Sequence, residues 1–121
     1  MQQKNYSPVV FEHYRSPRNF GKLNKPTHVA EELNPLCGDE IKAYLVIKDG
    51  KFEDIKYQAR GCALSIATAS VLSGMIKGEP IKDIQKINRT EIEKLLNIKV
   101  SAARESCITL ALNAVKKTLK N

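Results

Sequence analysis

The sequence predicts an α+β fold: a three-stranded antiparallel sheet with helices packed on one face. Three observations lead there. Between Ile41 and Ile47, apolar Ile41, Ala43, Leu45 and Ile47 alternate with Lys42, Tyr44 and Val46, the period-two mark of a half-buried strand. Asp49-Gly50 follows, the favoured pair of a type I′ hairpin, and a return strand carries Ile55, Tyr57 and Ala59 on one face. Helical patterns come before and after this block, so strands cluster instead of alternating with helices.

The elements can be justified in chain order. Ser7 to Arg15 fits a short amphipathic helix with Val9, Val10 and Tyr14, and Pro17 ends it, because the residue before a proline resists the helical conformation. His13 on this helix reads as a surface or packing histidine. Arg18-Asn19-Phe20-Gly21 reads as a loop. Thr27 to Leu33 is an expected edge strand, with His28 structural. Asn34-Pro35-Leu36-Cys37-Gly38-Asp39 breaks the strand pattern. Phe52 is out of phase with Ile55, Tyr57 and Ala59, which predicts a bulge near Glu53-Asp54. A helix follows Cys62 and runs to about Lys77, with Gly78 placed as a C-cap glycine and Pro80 blocking continuation. Apolar and small residues circle it nearly all round, so it should be buried on most faces. Ile81 to Ile87 is a short helix or turn. Asn88 can cap a helix from about Arg89 to Leu96. The last helix is expected from near Ser101 to about Leu119, with Ile108, Ala111, Leu112, Val115 and Leu119 on its apolar stripe.

At 121 residues the chain suits a single domain, 1–121, around one core. Composition is that of an ordinary globular protein, 42% hydrophobic and 27% charged. No run is long and apolar enough to span a bilayer, and Met1-Gln2-Gln3-Lys4-Asn5-Tyr6 has no apolar core of a secretory signal. A cytoplasmic protein with no membrane role is expected. In that compartment cysteines stay reduced, and clustered ones bind metal or do chemistry. An odd count of three fits a site better than a disulfide framework. The net charge of +7 is spread along the chain, aromatics are 6%, and neither an RNP-like pattern nor zinc-finger spacing is present. A protein partner of acidic character is therefore expected, and nucleic acid is not. The oligomeric state, a homo-oligomer included, is left open.

The chemistry centres on Gly61-Cys62-Ala63-Leu64-Ser65-Ile66-Ala67-Thr68-Ala69-Ser70. A charged alternating segment ends at Arg60, and no charge follows until Lys77. This reads as a strand running into the N-terminus of a buried helix, where backbone N–H groups point outward and the dipole is positive. The other two cysteines have similar addresses: Cys37 just before a strand, Cys107 near a helix start. Element ends lie at the edge of a domain, so convergence there is geometrically simple. Asp39 lies two residues from Cys37, with Gly38 between. Three thiolates and one carboxylate form a four-ligand set acceptable to zinc, and thiolate-rich sites equally suit iron–sulfur clusters. Spacing alone leaves two readings open, because free cysteines also fill cores and Asp39 also suits a turn.

Several motifs narrow the choice. His13-Tyr14, Ser16-Pro17-Arg18-Asn19-Phe20-Gly21, Asn34-Pro35-Leu36-Cys37-Gly38-Asp39, the Gly61 to Ser70 stretch and a final cysteine before a helix together resemble the iron–sulfur cluster assembly scaffolds of the IscU, NifU N-terminal and SufU types. The resemblance implies the α+β fold just described. It implies a 2Fe–2S cluster built from iron and sulfur supplied by a cysteine desulfurase, then passed to apo iron–sulfur acceptor proteins. It implies Cys37, Asp39, Cys62 and Cys107 as the ligand set, with zinc an alternative occupant. The chain departs from the family pattern in places. IscU-type scaffolds carry a histidine immediately before the third cysteine, and here that residue is Ser106. Their Leu-Pro-Pro-Val segment is replaced by Asn97-Ile98-Lys99-Val100-Ser101. SufU-type chains also lack that histidine and have an arginine three residues before the cysteine, the position of Arg104, but carry an insertion that this chain lacks. Three functions follow: a transient cluster scaffold, which is not an enzyme; a zinc-dependent sulfur relay, which is a transferase; or a small domain with a structural metal. Cys37, Cys62 and Cys107 are the sulfur-acceptor candidates, and no other catalytic residue is expected.

Overall fold

The computed structural model describes residues 7–35 and 38–119. The order is α1 (Pro8–Arg15), β1 (His28–Asn34), β2 (Asp39–Lys48), β3 (Lys51–Arg60), α2 (Ala63–Ile76), α3 (Arg89–Leu96) and α4 (Glu105–Thr118), with 3₁₀ turns at Ile81–Lys86 and Ala102–Arg104. The strands form one antiparallel sheet in the order β1-β2-β3, and the fold is α+β.

Alternation decides which face of the sheet is covered. Asp39, Ile41, Ala43 and Leu45 of β2 are buried, as are Ile55 and Tyr57 of β3, and α2 and α4 pack on this side. Val29 and Leu33 point the other way and are exposed. Asp49 (φ 54°) and Gly50 (φ 75°) both have positive φ, as a type I′ turn requires. The register then shifts: Val46 faces Asp54, but Ile47 faces Phe52, leaving Glu53 as the extra residue of a bulge. The bulge brings Phe52 into phase with the core, where it is fully buried.

α2 carries the middle of the core. Leu64, Ala67, Leu72 and Ile76 are buried, and so are the small polar residues Ser65, Thr68, Ser70 and Ser73. Leu45, Phe52, Leu72 and Ile108 are among its fully enclosed side chains. Each side chain of that size stabilises the fold by about 1.5–3 kcal/mol before ordering entropy is counted. Local signals fix the other helices. Ser7 Oγ accepts from the Val10 N–H at 3.2 Å and donates to the Leu96 carbonyl, so one residue caps α1 and ties it to the end of α3. Asn88 Oδ1 caps α3 through the Glu91 N–H, and Asn97 ends that helix in the left-handed conformation.

Three local details differ from the sequence expectation. The segment 19–21 is not a free loop: it lies along β3, with Gly21 N–H donating to the Tyr57 carbonyl at 2.8 Å and Tyr57 N–H to Asn19 at 3.0 Å. Phe20 stands edge-on against Tyr57, with ring centroids 5.0 Å apart. Burial pushes the Tyr57 phenol well above the usual tyrosine range. The neighbouring Ser70 and Ser73 hydroxyls oppose that rise in part. Gly78 (φ 88°) serves a type II turn, not a helical cap: Lys77 is extended, and Glu79 N–H returns to the Ile76 carbonyl at 2.9 Å. The last helix begins with a 3₁₀ turn, and α4 proper starts at Glu105.

At the open edge of the sheet, Lys117 Nζ donates to the Glu31 carbonyl of β1 at 3.1 Å and pairs with the Glu32 carboxylate at 3.2 Å. No helix among the described residues is long and apolar enough to cross a membrane.

Candidate metal centre

Three elements begin at one place. β2 starts with Asp39, α2 is preceded by its N-cap Cys62, and α4 begins two residues before Cys107. One oxygen of Asp39 and the sulfurs of Cys62 and Cys107 all lie within 4.8 Å of one another. Asp39 is 1% exposed and Cys107 3%, whereas Cys62 is half-buried and reaches the surface. Of the four residues the sequence singled out, these three come together. Cys37 lies outside the described residues.

The carboxylate is held by the first turn of α2. Cys62 N–H donates to Asp39 Oδ1 at 3.1 Å, and Ser65 Oγ donates to Oδ2 at 2.5 Å. Cys62 Sγ lies 3.7 Å from Oδ2. Gly61 makes this approach possible. Its φ is 146°, and a Cβ there would fall inside the Asp39 carboxylate, 2.6 Å from Cγ. Only glycine leaves that space open.

Two further residues frame the cluster. Arg104 Nη2 lies 3.8 Å from Cys62 Sγ. Asn34 Nδ2 donates to Ser106 Oγ at 2.7 Å, joining the end of β1 to the residue before Cys107. Sequence reasoning marked Arg104 and Ser106 but missed Gly61, Ser65 and Asn34 as site residues. Gly61 carried a signal, a glycine between a strand end and a cysteine. Ser65 looked like one more small residue of a buried helix.

Ligands that share a tetrahedral zinc at about 2.0–2.3 Å stand roughly 3.5–4 Å apart. The 3.7 Å between Cys62 Sγ and Asp39 Oδ2 is already that spacing. The donors therefore fit a thiophilic metal: two sulfurs and a carboxylate converge, the carboxylate is oriented by two hydrogen bonds, and one sulfur faces outward.

β2, α2 and α4 together bring a carboxylate and two thiols to one place, a donor set suited to a thiophilic metal. The chain belongs to the family described as NifU-like N terminal domain, whose model matches residues 5–121. It is 38% identical over 114 residues to the iron-sulfur cluster assembly scaffold protein IscU 1 of Archaeoglobus fulgidus, covering 94% of this chain and 74% of that protein. It is 31% identical over 129 residues to the zinc-dependent sulfurtransferase SufU of Bacillus subtilis, covering 93% and 87%. Its fold is that of a Fervidobacterium islandicum protein described as a putative iron-sulfur cluster assembly scaffold for the SUF system, with a TM-score of 0.86 at 23% identity, over 99% of this chain and 100% of that one.

Proposed function

We propose that the protein is a scaffold for iron–sulfur cluster assembly. Iron and sulfide are its cargo, held by Cys37, Asp39, Cys62 and Cys107, built into a 2Fe–2S cluster and released to apo iron–sulfur proteins. The observation that carries this reading is the convergence of Asp39, Cys62 and Cys107 within 4.8 Å where β2, α2 and α4 begin. Family membership and the relatives named as scaffolds support it.

The donor set suits a temporary load. Thiolates bind iron strongly, and a carboxylate is a harder, weaker partner. One carboxylate among sulfurs gives an incoming acceptor thiol a ligand to displace. Cys62 sits at the rim of the site, where a persulfide on a cysteine desulfurase can reach it, while Cys107 is enclosed. Anaerobic incubation with ferrous iron, cysteine, a cysteine desulfurase and a dithiol reductant that supplies the remaining electrons should give a brown protein with sulfide-to-iron charge-transfer bands and equal iron and sulfide. A protein that stays colourless and carries no sulfide would sink the scaffold reading.

Arg104 beside Cys62 favours a second reading, a zinc-dependent sulfur relay. An acceptor thiolate attacks the outer sulfur of the desulfurase persulfide, a new S–S bond forms, and the desulfurase cysteine leaves as thiolate. Arg104 lies where it can pair with either anion. This reading requires a tight zinc and a faster desulfurase in the presence of the protein, with no iron needed.

A further inference from the structure

The geometry points to Ser65 as the residue that positions the Asp39 carboxylate, an inference that rests on the metal-centre reading above. Ser65 is the third residue of α2, and Cys62 is the N-cap. In a capping box a Glu or Gln at this position reaches back to the N-cap N–H. Here a carboxylate from a different strand is interposed. Asp39 Oδ1 takes the N-cap N–H at 3.1 Å, and the Ser65 hydroxyl takes Oδ2 at 2.5 Å. A carboxylate gripped at both oxygens by one helical turn cannot rotate about its last bond. That fixes which lone pairs face the two sulfurs.

The same hydroxyl touches the rest of the cluster. Ser65 Oγ lies 3.2 Å from the Cys107 carbonyl oxygen and 3.7 Å from Cys62 Sγ. A hydroxyl has a single proton to donate. That proton goes to Oδ2, and because each carboxylate oxygen has a second lone pair, Asp39 can keep the Ser65 bond while turning the other pair toward a metal. Ser65 is 4% exposed and Asp39 1%, so bulk water does not stand in for either partner. The hydroxyl thus serves the empty and the loaded site without a polar atom being left unmatched.

Zinc serves as the probe, titrated in competition with a chromophoric chelator, with the thermal midpoint of each metal-free variant measured alongside. Ser65→Ala should weaken zinc binding by about 10–100-fold, the usual loss when a ligand's supporting hydrogen bond is removed. In an Asp39→Ala background the same substitution should change affinity by less than about twofold, because the hydroxyl acts through the carboxylate. Ser65→Thr and Ser65→Val share one shape and differ in the hydroxyl, so they carry the comparison if the alanine variant does not fold. Threonine near the wild-type affinity with valine weakened supports the inference. Ser65→Ala binding as the wild type does, an equal loss in both backgrounds, or threonine and valine binding alike would overturn it while leaving the metal centre standing. A wild-type protein that takes up no zinc would overturn the metal centre, and the role of Ser65 with it.

Discussion

Asn34 and Ser106 are joined side chain to side chain at 2.7 Å, 72 residues apart in sequence. The bond ties the last residue of β1 to the first turn of α4, one position before Cys107. Asn34 is buried. Ser106→Ala removes its acceptor and should lower stability by about 1 kcal/mol. Urea unfolding of the metal-free protein reads this as a lower midpoint at unchanged slope. An unmoved midpoint would mean the bond contributes nothing net.

Asp39→Ala should separate holding a metal from releasing one. The carboxylate caps the start of α2, so its loss should cost about 1–2 kcal/mol of stability. The thiolates supply most of the affinity for a thiophilic metal, so metal uptake should persist. Cluster transfer to an apo-ferredoxin should slow, because the most readily exchanged ligand is gone. Replacing Cys37, Cys62 or Cys107 by Ser should abolish stable cluster assembly instead. Equal transfer rates and equal cluster lifetimes in air for Asp39→Ala and wild type would reduce Asp39 to a helix cap.

Gly61→Ala should damage fold and site together. The backbone there has a φ that side chains rarely adopt, and the added carbon runs into the Asp39 carboxyl group. Strain of this kind costs on the order of 1–3 kcal/mol. Displacing Asp39 also releases the Cys62 N–H and the Ser65 hydroxyl. Calorimetry and zinc titration of this one variant should show a lowered midpoint and weakened binding. Normal zinc binding would show that the carboxylate can retreat without consequence.

His13 makes part of the fold sensitive to acid. Its Nδ1 lies 2.7 Å from Ser70 Oγ, and Arg18 Nη1 stands 3.0 Å from Nε2. Burial and the Arg18 cation lower the His13 pKa below its ordinary 6.5, with Glu12 opposing weakly. The neutral ring is therefore the form the folded state prefers. Above pH 6.5 both folded and unfolded chains hold it neutral, and its contribution is fully present. As pH falls from 6.5 toward the lowered folded value, the unfolded chain binds the proton first and stability is lost. The wild type should lose more stability between pH 7.5 and pH 5.5 than His13→Gln. Parallel pH curves for the two would remove His13 from the account.

The dispersed +7 charge should be felt by a protein partner. Binding to a cysteine desulfurase should weaken as sodium chloride rises, because exposed charges are screened beyond about 8–10 Å at physiological salt. Salt-independent binding, or submicromolar affinity for duplex DNA in physiological salt, would contradict a protein-directed basic surface.

What the sequence disclosed and what it hid divide along the range of the interactions. Asn88, Asp49-Gly50 and the misplaced phase of Phe52 act through neighbours a few residues away, so the α3 cap, the hairpin and the bulge at Glu53 were legible. Asp39, Cys62 and Cys107 were legible as chemistry, because few other roles gather that set at element ends. Ser65 was not, since its partner lies 26 residues back on another element. Asn34 was hidden for the same reason. Gly78 was recognised as a stop but assigned the wrong turn. A glycine with positive φ serves a helical cap and a type II turn alike, and the extended Lys77 decides between them.

Lys117 has a consequence beyond its two contacts. β1 is the outermost strand of the sheet, and its exposed Val29 and Leu33 stand beside main-chain groups on the open side. A rim of that kind invites other chains to add themselves, the first step toward fibrils. The Lys117 ammonium occupies the Glu31 carbonyl and brings a hydrated charge to the place where a stranger's backbone would have to dock. A lysine on the last helix thereby sets a charge at the strand most open to pairing with another chain.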